Sequence, residues 1–579
     1  MTYRAPVAEQ RFVLEVASGL QQLAEAEAFA AASPDLVDAI LEGAAQFAEG
    51  EFAPLNHPGD KAGARWTAEG VIMPPGFREA YQAYVESGWG SLSCPEGYGG
   101  QGLPFSLATA VLEDLGTANL AFSLIMMLTP GAVDALVAHG SEEQRQTWLP
   151  KLISGEWNGT MNLTEPQAGT DVGALKTRAE RQPDGSYRIK GTKIFITFGD
   201  HDLTDNIVHL VLARTPDAPA GTKGISLFVV PKYRLDGDGA PGAFNDVRCV
   251  SIEHKLGIHA APTCVMSYGD HDDCTGYLVG EENAGMRAMF TMMNNARLNV
   301  GLQGISLAER ATQKAADYAR ERIQSARAGA PTRDPVAIVQ HPDVRRMLMT
   351  MKALTQGARA LIYHAAGLAD RAHLGDVAAQ ARLDLLTPLA KSYGTDVGCE
   401  VASLGVQVHG GMGYIEETGA AQLFRDARIA PIYEGTNGVQ AADLVGRKLA
   451  MQGGAVFAAL LADIRAEAAG EGALMTLVGQ VEAVAAWMLD ASRSIDDRLA
   501  GSVPFQRMLA VAVCGWQMAR QVRIAGERLA AGEGDSGFLA AKQAAGRFYL
   551  DQIVPQAGGL FAAATASADA LYAIPEEAF

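Results

Sequence analysis

Six cysteines in 579 residues (Cys94, Cys249, Cys264, Cys274, Cys399 and Cys514) stand far apart with no C-x-x-C among them. Neither a disulfide framework nor a thiolate zinc site is suggested, and no metal is expected. Basic residues are also scarce, with 47 Lys and Arg against 66 Asp and Glu, a formal net charge of −19. Phosphate backbones are held by clustered basic side chains, so nucleic acid is a poor partner for this chain. Long apolar runs are missing too. An uncharged apolar stretch, 117–133, holds Asn119, Thr129 and Pro130 and is bracketed by Asp114 and Asp134. It reads as a buried helix meeting a turn, not as a bilayer span, and no integral membrane contact is expected. The start, MTYRAPVAEQRFVLE, lacks the basic end, apolar centre and small-residue cleavage pattern of a secretory signal, so the expected compartment is the cytoplasm.

What is present is core-forming sequence: 48% of residues are hydrophobic and 20% charged, over a length that implies several domains. After a leader segment, 1–35, a helical period runs over 36–157, with Ser141 as a helix N-cap. Over 158–282 the texture changes to short β-branched and aromatic runs between Gly, Pro and Asp, which predicts an antiparallel barrel or sandwich. The helical period returns over 283–450, and Ala-rich amphipathic stretches over 451–579 predict an additional helical domain. The fold class is multidomain α+β.

Several motifs could carry chemistry. Gly97-Tyr98-Gly99-Gly100-Gln101-Gly102 satisfies G-x-G-x-x-G, but no strand leads into it, so it reads as a glycine-rich connection between helices. In 161–173, MNLTEPQAGTDVG, two hydroxyls (Thr164 and Thr170) flank the turn Gln167-Ala168-Gly169. Such a turn can hold a phosphate or a polar ring edge, or can be an ordinary capped loop. In the strand Lys193-Ile194-Phe195-Ile196-Thr197, alternation puts Phe195 and Thr197 on one face, which suits a flat heteroaromatic cofactor but is also common in sheet cores. In 407–440, His409-Gly410-Gly411 ends a helix and leaves backbone open to close approach. Further on, Ile432-Tyr433-Glu434-Gly435-Thr436 sets one carboxylate between an apolar pair and a glycine. Glu434 is a candidate general base with a raised pKa, or an acidic residue complementing a helix dipole.

Taken in order, MNLTEPQAGTDVG, KIFIT, ARERIQ, QVHGGMGY and FRDARIAPIYEGT closely resemble the acyl-CoA dehydrogenase family of flavoenzymes, over residues 36–450. The N-terminal segment and the C-terminal extension resemble the longer bacterial subgroup that includes the 3-methylmercaptopropionyl-CoA dehydrogenases. The resemblance implies an N-terminal helical domain, a middle antiparallel β domain, a C-terminal four-helix bundle and the extra helical domain. It implies FAD as cofactor, with Met161, Leu163, Thr164, Gly169 and Thr170 at the flavin edge and pyrophosphate, Phe195 and Thr197 at a second flavin segment, and Thr436 at the flavin. Arg322, Gln324, Gln407, Gly410 and Gly411 would reach the adenosine half from a neighbouring subunit of a homodimer or tetramer. Asn294, Arg297, Gly435 and Thr170 would contact the acyl-CoA, and Glu434 would be the catalytic base.

The implied activity is FAD-dependent α,β-dehydrogenation of an acyl-CoA to a trans-2-enoyl-CoA. Glu434 would take the Cα proton while the Cβ hydride passes to flavin N5 and electrons leave to an electron-transferring flavoprotein. The substrate would be 3-methylmercaptopropionyl-CoA or a medium- or long-chain fatty acyl-CoA. An acyl-CoA oxidase is the near alternative, and a non-catalytic DNA-binding flavoprotein of the same fold is a distant one. Three positions depart from the family pattern: Phe195 where many members have Trp, Asn294 where several have Asp, and Asn437-Gly438 in place of a pair that often includes Gln.

Overall fold

Pro130 lies inside a continuous helix, Leu120–His139, in the computed structural model, which describes residues 3–579 apart from the side chains of Asn294 and Asn295. The turn expected within 117–133 falls at Asn119, whose backbone is extended and whose side chain caps the next helix by accepting from Phe122 N at 3.2 Å. A local cap stops one helix and starts another more effectively than a proline that its surroundings can accommodate.

The chain divides into two units. One comprises Glu42–Ala296 with residues 3–5, and the other Pro6–Leu41 with Arg297–Phe579. The first unit begins with helices, among them Phe77–Glu86, Phe105–Ala118, Leu120–His139 and Glu142–Ser154. Ser141 caps the last of these in a reciprocal capping box with Gln144. The glycine-rich segment 97–102 is a tight connection on the way to Phe105–Ala118, where a Cβ on Gly100 would fall 2.1 Å from the carbonyl oxygen of Cys94.

An eight-stranded sheet follows, in the order Val247–Ile252, Thr263–Tyr268, Tyr187–Thr197, Thr275–Val279, Ser226–Pro231, Asn206–Ala213, Trp157–Asn162, with Arg178–Arg181 also paired to Tyr187–Thr197. It is not wholly antiparallel as expected, because Trp157–Asn162 pairs parallel with Asn206–Ala213. The long excursion between those two strands supplies the crossover that a parallel pair needs. Val208, Leu210, Leu212, Leu227 and Val229 face a core shared with Leu149 and Leu136. Val211, Ala213, Phe228 and Val230 face the opposite core. Burial on both faces explains why NIVHLVLA and SLFVVP read as continuous apolar runs.

The second unit is helical. Its long members are Gly285–Glu321 (from Arg297 onward), Pro342–His373 and Val377–His409, followed by the short Ala420–Ala427 and Asn437–Asp443. The extension adds Ala455–Glu467, Gly472–Leu489, Ser502–Ala531 and Ser536–Phe548. The N-terminal helix Val7–Val13 joins this unit, with Phe12 in a cluster with Val16, Ala525 and Leu539. By length and composition alone, Leu120–His139, Gly472–Leu489 and the bent pair 437–448 with 451–467 could cross a bilayer. That corrects the sequence count, which saw no such segment. Leu120–His139 is packed in its own core, and Gly472–Leu489 buries one face through Leu474, Leu477, Val478, Val481, Val484 and Met488.

Candidate active site

In the helical unit, helices Gly285–Glu321 and Val377–His409 meet along a glycine seam. A Cβ on Gly304 would lie 2.0 Å from the Gly394 carbonyl oxygen, and one on Gly398 would lie 2.7 Å from Gly304 Cα. Only glycines permit that approach. The seam sets Arg297, Gln303 and Lys391 around the segment that carries Glu434. The Tyr433 hydroxyl donates to Gln303 Oε1. Glu434 follows at φ 55° and Gly435 at φ 83°, a left-handed pair that is strained for the glutamate. Thr436 then caps helix Asn437–Asp443, its hydroxyl accepting from Val439 N at 3.2 Å. Glu434 therefore stands outside the helix start, in a turn of its own.

Burial raises the Glu434 carboxyl above the ordinary range, and the charges of Arg297 and Lys391 work against that rise. Arg297 is itself lowered by burial, with Asp443 and Glu434 opposing and Arg447 adding to it. Its Nε is buried with no hydrogen-bond partner. Lys391 is fully buried and donates to Asn437 Oδ1 at 2.9 Å. Burial pulls its ammonium down to about 8, against Glu434 and Asp396, which push it up. Asn437 Nδ2 in turn donates to Asp396 Oδ1 at 2.8 Å, Thr395 Oγ1 at 3.0 Å and Ser392 O at 3.2 Å. A half-buried carboxylate with a raised pKa and two nearby cations is suited to exchange a proton with a bound ligand.

The β unit gathers a second group. Met161 lies one residue before the end of strand Trp157–Asn162, and Glu165 to Ala168 closes a tight turn by mutual backbone bonds. Ile194 N donates to Thr164 O at 2.9 Å, tying that turn to strand Tyr187–Thr197. Lys193 pairs with Met266 and Ile196 with Cys264, so the strand holds one extra residue there. This is a bulge, and it breaks the alternation expected for Phe195 and Thr197. Phe195 takes φ 59° and is 58% exposed. Thr170 and Gly169 are exposed, while Leu163, Thr164 and Thr197 are half-buried. A bulge that turns an aromatic ring outward beside exposed hydroxyls and an open glycine fits a flat, polar-edged cofactor such as a flavin.

Of the other expected residues, Arg322 donates to Gln324 Oε1 at 3.1 Å, and both are exposed. Gln407, Gly410 and Gly411 lie exposed at the end of helix Val377–His409, where Gly410 takes φ 61°. The Asn294 side chain lies outside the described residues. Lys391, Asp396, Lys193 and Glu165 were not singled out from the sequence. One signal for Lys391 was its position as the lone charge in the run LLTPLAKSYG.

Family models match most of the chain. The acyl-CoA dehydrogenase N-terminal domain matches residues 35–156, the middle domain 160–271 and the C-terminal domain 283–450. A further match, acetyl-CoA dehydrogenase C-terminal like, covers 455–575. The 3-methylmercaptopropionyl-CoA dehydrogenase of Ruegeria pomeroyi is 46% identical over 99% of each chain. The chain belongs to the acyl-CoA dehydrogenase family. It is an oxidoreductase of that family, with the additional C-terminal domain of its longer members. A butyryl-CoA dehydrogenase of Syntrophomonas wolfei is 36% identical over 94% of each chain. The crystal structure of an acyl-CoA dehydrogenase complexed with FAD from Bacillus anthracis shares the fold, with a TM-score of 0.74 at 22% identity over 95% of this chain and 90% of that one.

Proposed function

We propose that this acyl-CoA dehydrogenase converts an acyl-CoA thioester to the trans-2-enoyl-CoA, with Glu434 as the base and an electron-transferring flavoprotein as the electron acceptor. The carrying observation is Glu434 itself: a carboxylate raised by burial, in a strained turn, faced by Arg297 and Lys391. A thioester Cα proton is weakly acidic, so its removal needs a base of matched pKa held in place before the substrate arrives. The left-handed turn at Glu434 and Gly435, locked by Tyr433 on one side and Asn437 on the other, does this holding. Arg297, whose buried Nε has no hydrogen-bond partner, would bind polar groups of the CoA thioester. Met161, Leu163, Thr164, Gly169, Thr170, Phe195, Thr197 and Thr436 would hold FAD, and Arg322, Gln324, Gln407, Gly410 and Gly411 its adenosine half. FAD, when bound, supplies the two-electron acceptor for the Cβ hydride.

The high identity to a 3-methylmercaptopropionyl-CoA dehydrogenase supports a short thioether acyl group as the substrate. Anaerobic titration of the purified protein with acyl-CoAs from butyryl to palmitoyl, and with 3-methylmercaptopropionyl-CoA, tests the reading through bleaching of the flavin band. Bleaching ranks the substrates. The Glu434→Gln variant should keep bound FAD and lose bleaching, and native-rate bleaching in that variant would remove Glu434 as the base.

A further inference from the structure

Lys391 is a buried cation whose hydrogen bond goes to an amide oxygen, Asn437 Oδ1 at 2.9 Å. Burying an ammonium against a neutral partner is costly, and a methionine of similar shape would fill the same space without that cost. The charge must therefore be balanced by the field of its surroundings. Those surroundings are specific. Lys391 is faced by Glu434, Asp396 and Arg297. Glu434 is faced by Arg297, Lys391 and its neighbour Tyr433. Asp396, which accepts from Asn437 at 2.8 Å, is faced by Arg507 of helix Ser502–Ala531, by Lys391 and by Glu400. Arg297 is faced in addition by Asp443 and Arg447.

Asn437 is the hub of this arrangement. It stands three residues after Glu434, at the start of helix Asn437–Asp443, and it bonds to Lys391, Ser392, Thr395 and Asp396 on helix Val377–His409. The turn bearing Glu434 is thus bolted to that helix at one residue, and the bolt's acceptor side is charged. Resting on the reading of Glu434 as base, we propose that Lys391 is a positioning residue for that base: through Asn437 it fixes the Glu434 turn, and its buried cation favours the charged carboxylate. Arg297 favours the charged carboxylate in the same direction, and it also faces Asp443. The acidic partner Asp396 prevents Asn437 from rotating its amide, so that its oxygen faces Lys391 and its nitrogen faces the carboxylate.

The test is the pH dependence of anaerobic flavin bleaching by butyryl-CoA in native enzyme, Lys391→Met, Lys391→Gln and Lys391→Arg. Loss of the cation leaves Glu434 harder to ionise, so its acidic limb should move upward by about one pH unit in the Met and Gln variants, making them about tenfold slower at a pH below the native limb. Lys391→Gln retains a hydrogen bond to Asn437 without charge and serves if the Met variant does not fold. Lys391→Arg should keep the native limb. Superimposable limbs for native, Met and Gln enzymes, at any plateau rate, overturn the proposal, because a merely structural lysine would change the plateau and not the limb. Glu434→Gln separates the two ideas. If it bleaches at the native rate, the base assignment fails first. If it is inactive while the Lys391 variants keep the native limb, only the role of Lys391 is lost.

Discussion

The Lys193 ammonium meets the Glu165 carboxylate at 2.8 Å, with 0% and 4% of their side chains exposed. Glu165 Oε1 also accepts from Thr177 N at 3.0 Å and Thr177 Oγ1 at 2.6 Å, and its Oε2 from Lys176 N at 2.6 Å and Gln167 Nε2 at 2.7 Å. Lys193 Nζ also reaches Leu163 O at 3.0 Å. The pair thus joins the turn after Met161 to the bulged strand that turns Phe195 outward. Burial alone would raise the Glu165 carboxyl, but Lys193, Thr177 and Lys176 hold it down at about 2. Burial pulls Lys193 down to about 8 against the carboxylate's attraction.

Breaking this pair from one side leaves an unpaired buried charge. Lys193→Met and Glu165→Gln should each destabilise the protein by about 3–5 kcal/mol, while the double variant should lose less than the sum of the two. Both single variants should also purify with less FAD. Denaturant unfolding and the flavin-to-protein absorbance ratio read these effects. Additive losses in the double variant would show that the two groups do not depend on one another.

Gly435 makes a separate prediction. Its φ is +83°, and a Cβ there would fall 2.7 Å from Gln440 Nε2, whose amide donates to Glu434 O at 3.4 Å. Gly435→Ala should cost about 1 kcal/mol or more in stability through backbone strain. The larger effect should be on flavin bleaching, slowed about a hundredfold by displacement of the carboxylate. A variant that bleaches at the native rate would show that the turn's conformation does not control Glu434.

How far the sequence could be read depended on the range of each interaction. The helical blocks were legible because their period is local, and so was the N-cap at Ser141, which needs only its own turn. The parallel pairing of Trp157–Asn162 with Asn206–Ala213 was not legible, since both strands read as apolar segments whatever their direction. The bulge at Phe195 was hidden for a similar reason: an inserted residue is seen only against its partner strand. Glu434 stood out because a carboxylate between bulky apolar residues and glycine is locally odd. Lys391 and Asp396 lie on a helix some forty residues earlier, and their bonds to Asn437 tie that helix to the Glu434 turn.

Three buried histidines predict acid sensitivity. Burial holds His201 and His209 down to about 3 and His364 to about 4, whereas an unfolded histidine titrates near 6.5. The unfolded chain therefore binds protons before the native one does. Stability contributed by the neutral rings is complete above about 6.5 and falls as the pH drops towards about 4, by up to roughly 1.4 kcal/mol per pH unit for each ring. His364 Nδ1 donates to Ala17 O at 3.2 Å and the ring stands edge-on to Trp516. Urea unfolding at pH 7.5 and pH 5.5 should show the decline, and His364→Gln should flatten part of it. An unchanged slope in that variant would place the acid sensitivity elsewhere.

The N-terminal helix offers the last test. Glu9 Oε1 pairs with Lys542 Nζ at 2.8 Å, Glu9 lies 3.7 Å from Arg359, and Gln356 Nε2 donates to Glu9 Oε2 at 3.2 Å. Arg359 pairs in turn with Glu309 at 2.7 Å. Both Lys542 and Arg359 are about 1% exposed. Phe12 packs edge-on against Phe538, with the Lys542 and Arg528 cations over its ring. One carboxylate therefore neutralises a cation from the C-terminal extension and one from helix Pro342–His373. Glu9→Gln removes a carboxylate that those two cations share and should cost about 3–5 kcal/mol. Lys542→Met, which removes the excess charge, should recover part of that loss when combined with it. Hydrogen exchange should localise the weakening to Val7–Val13 and Ser536–Phe548 before the rest of the unit opens. If Glu9→Gln instead leaves exchange in Ser536–Phe548 at the native rate, the N-terminal helix does not hold the extension in place, and the extension's stability comes from its apolar contacts alone.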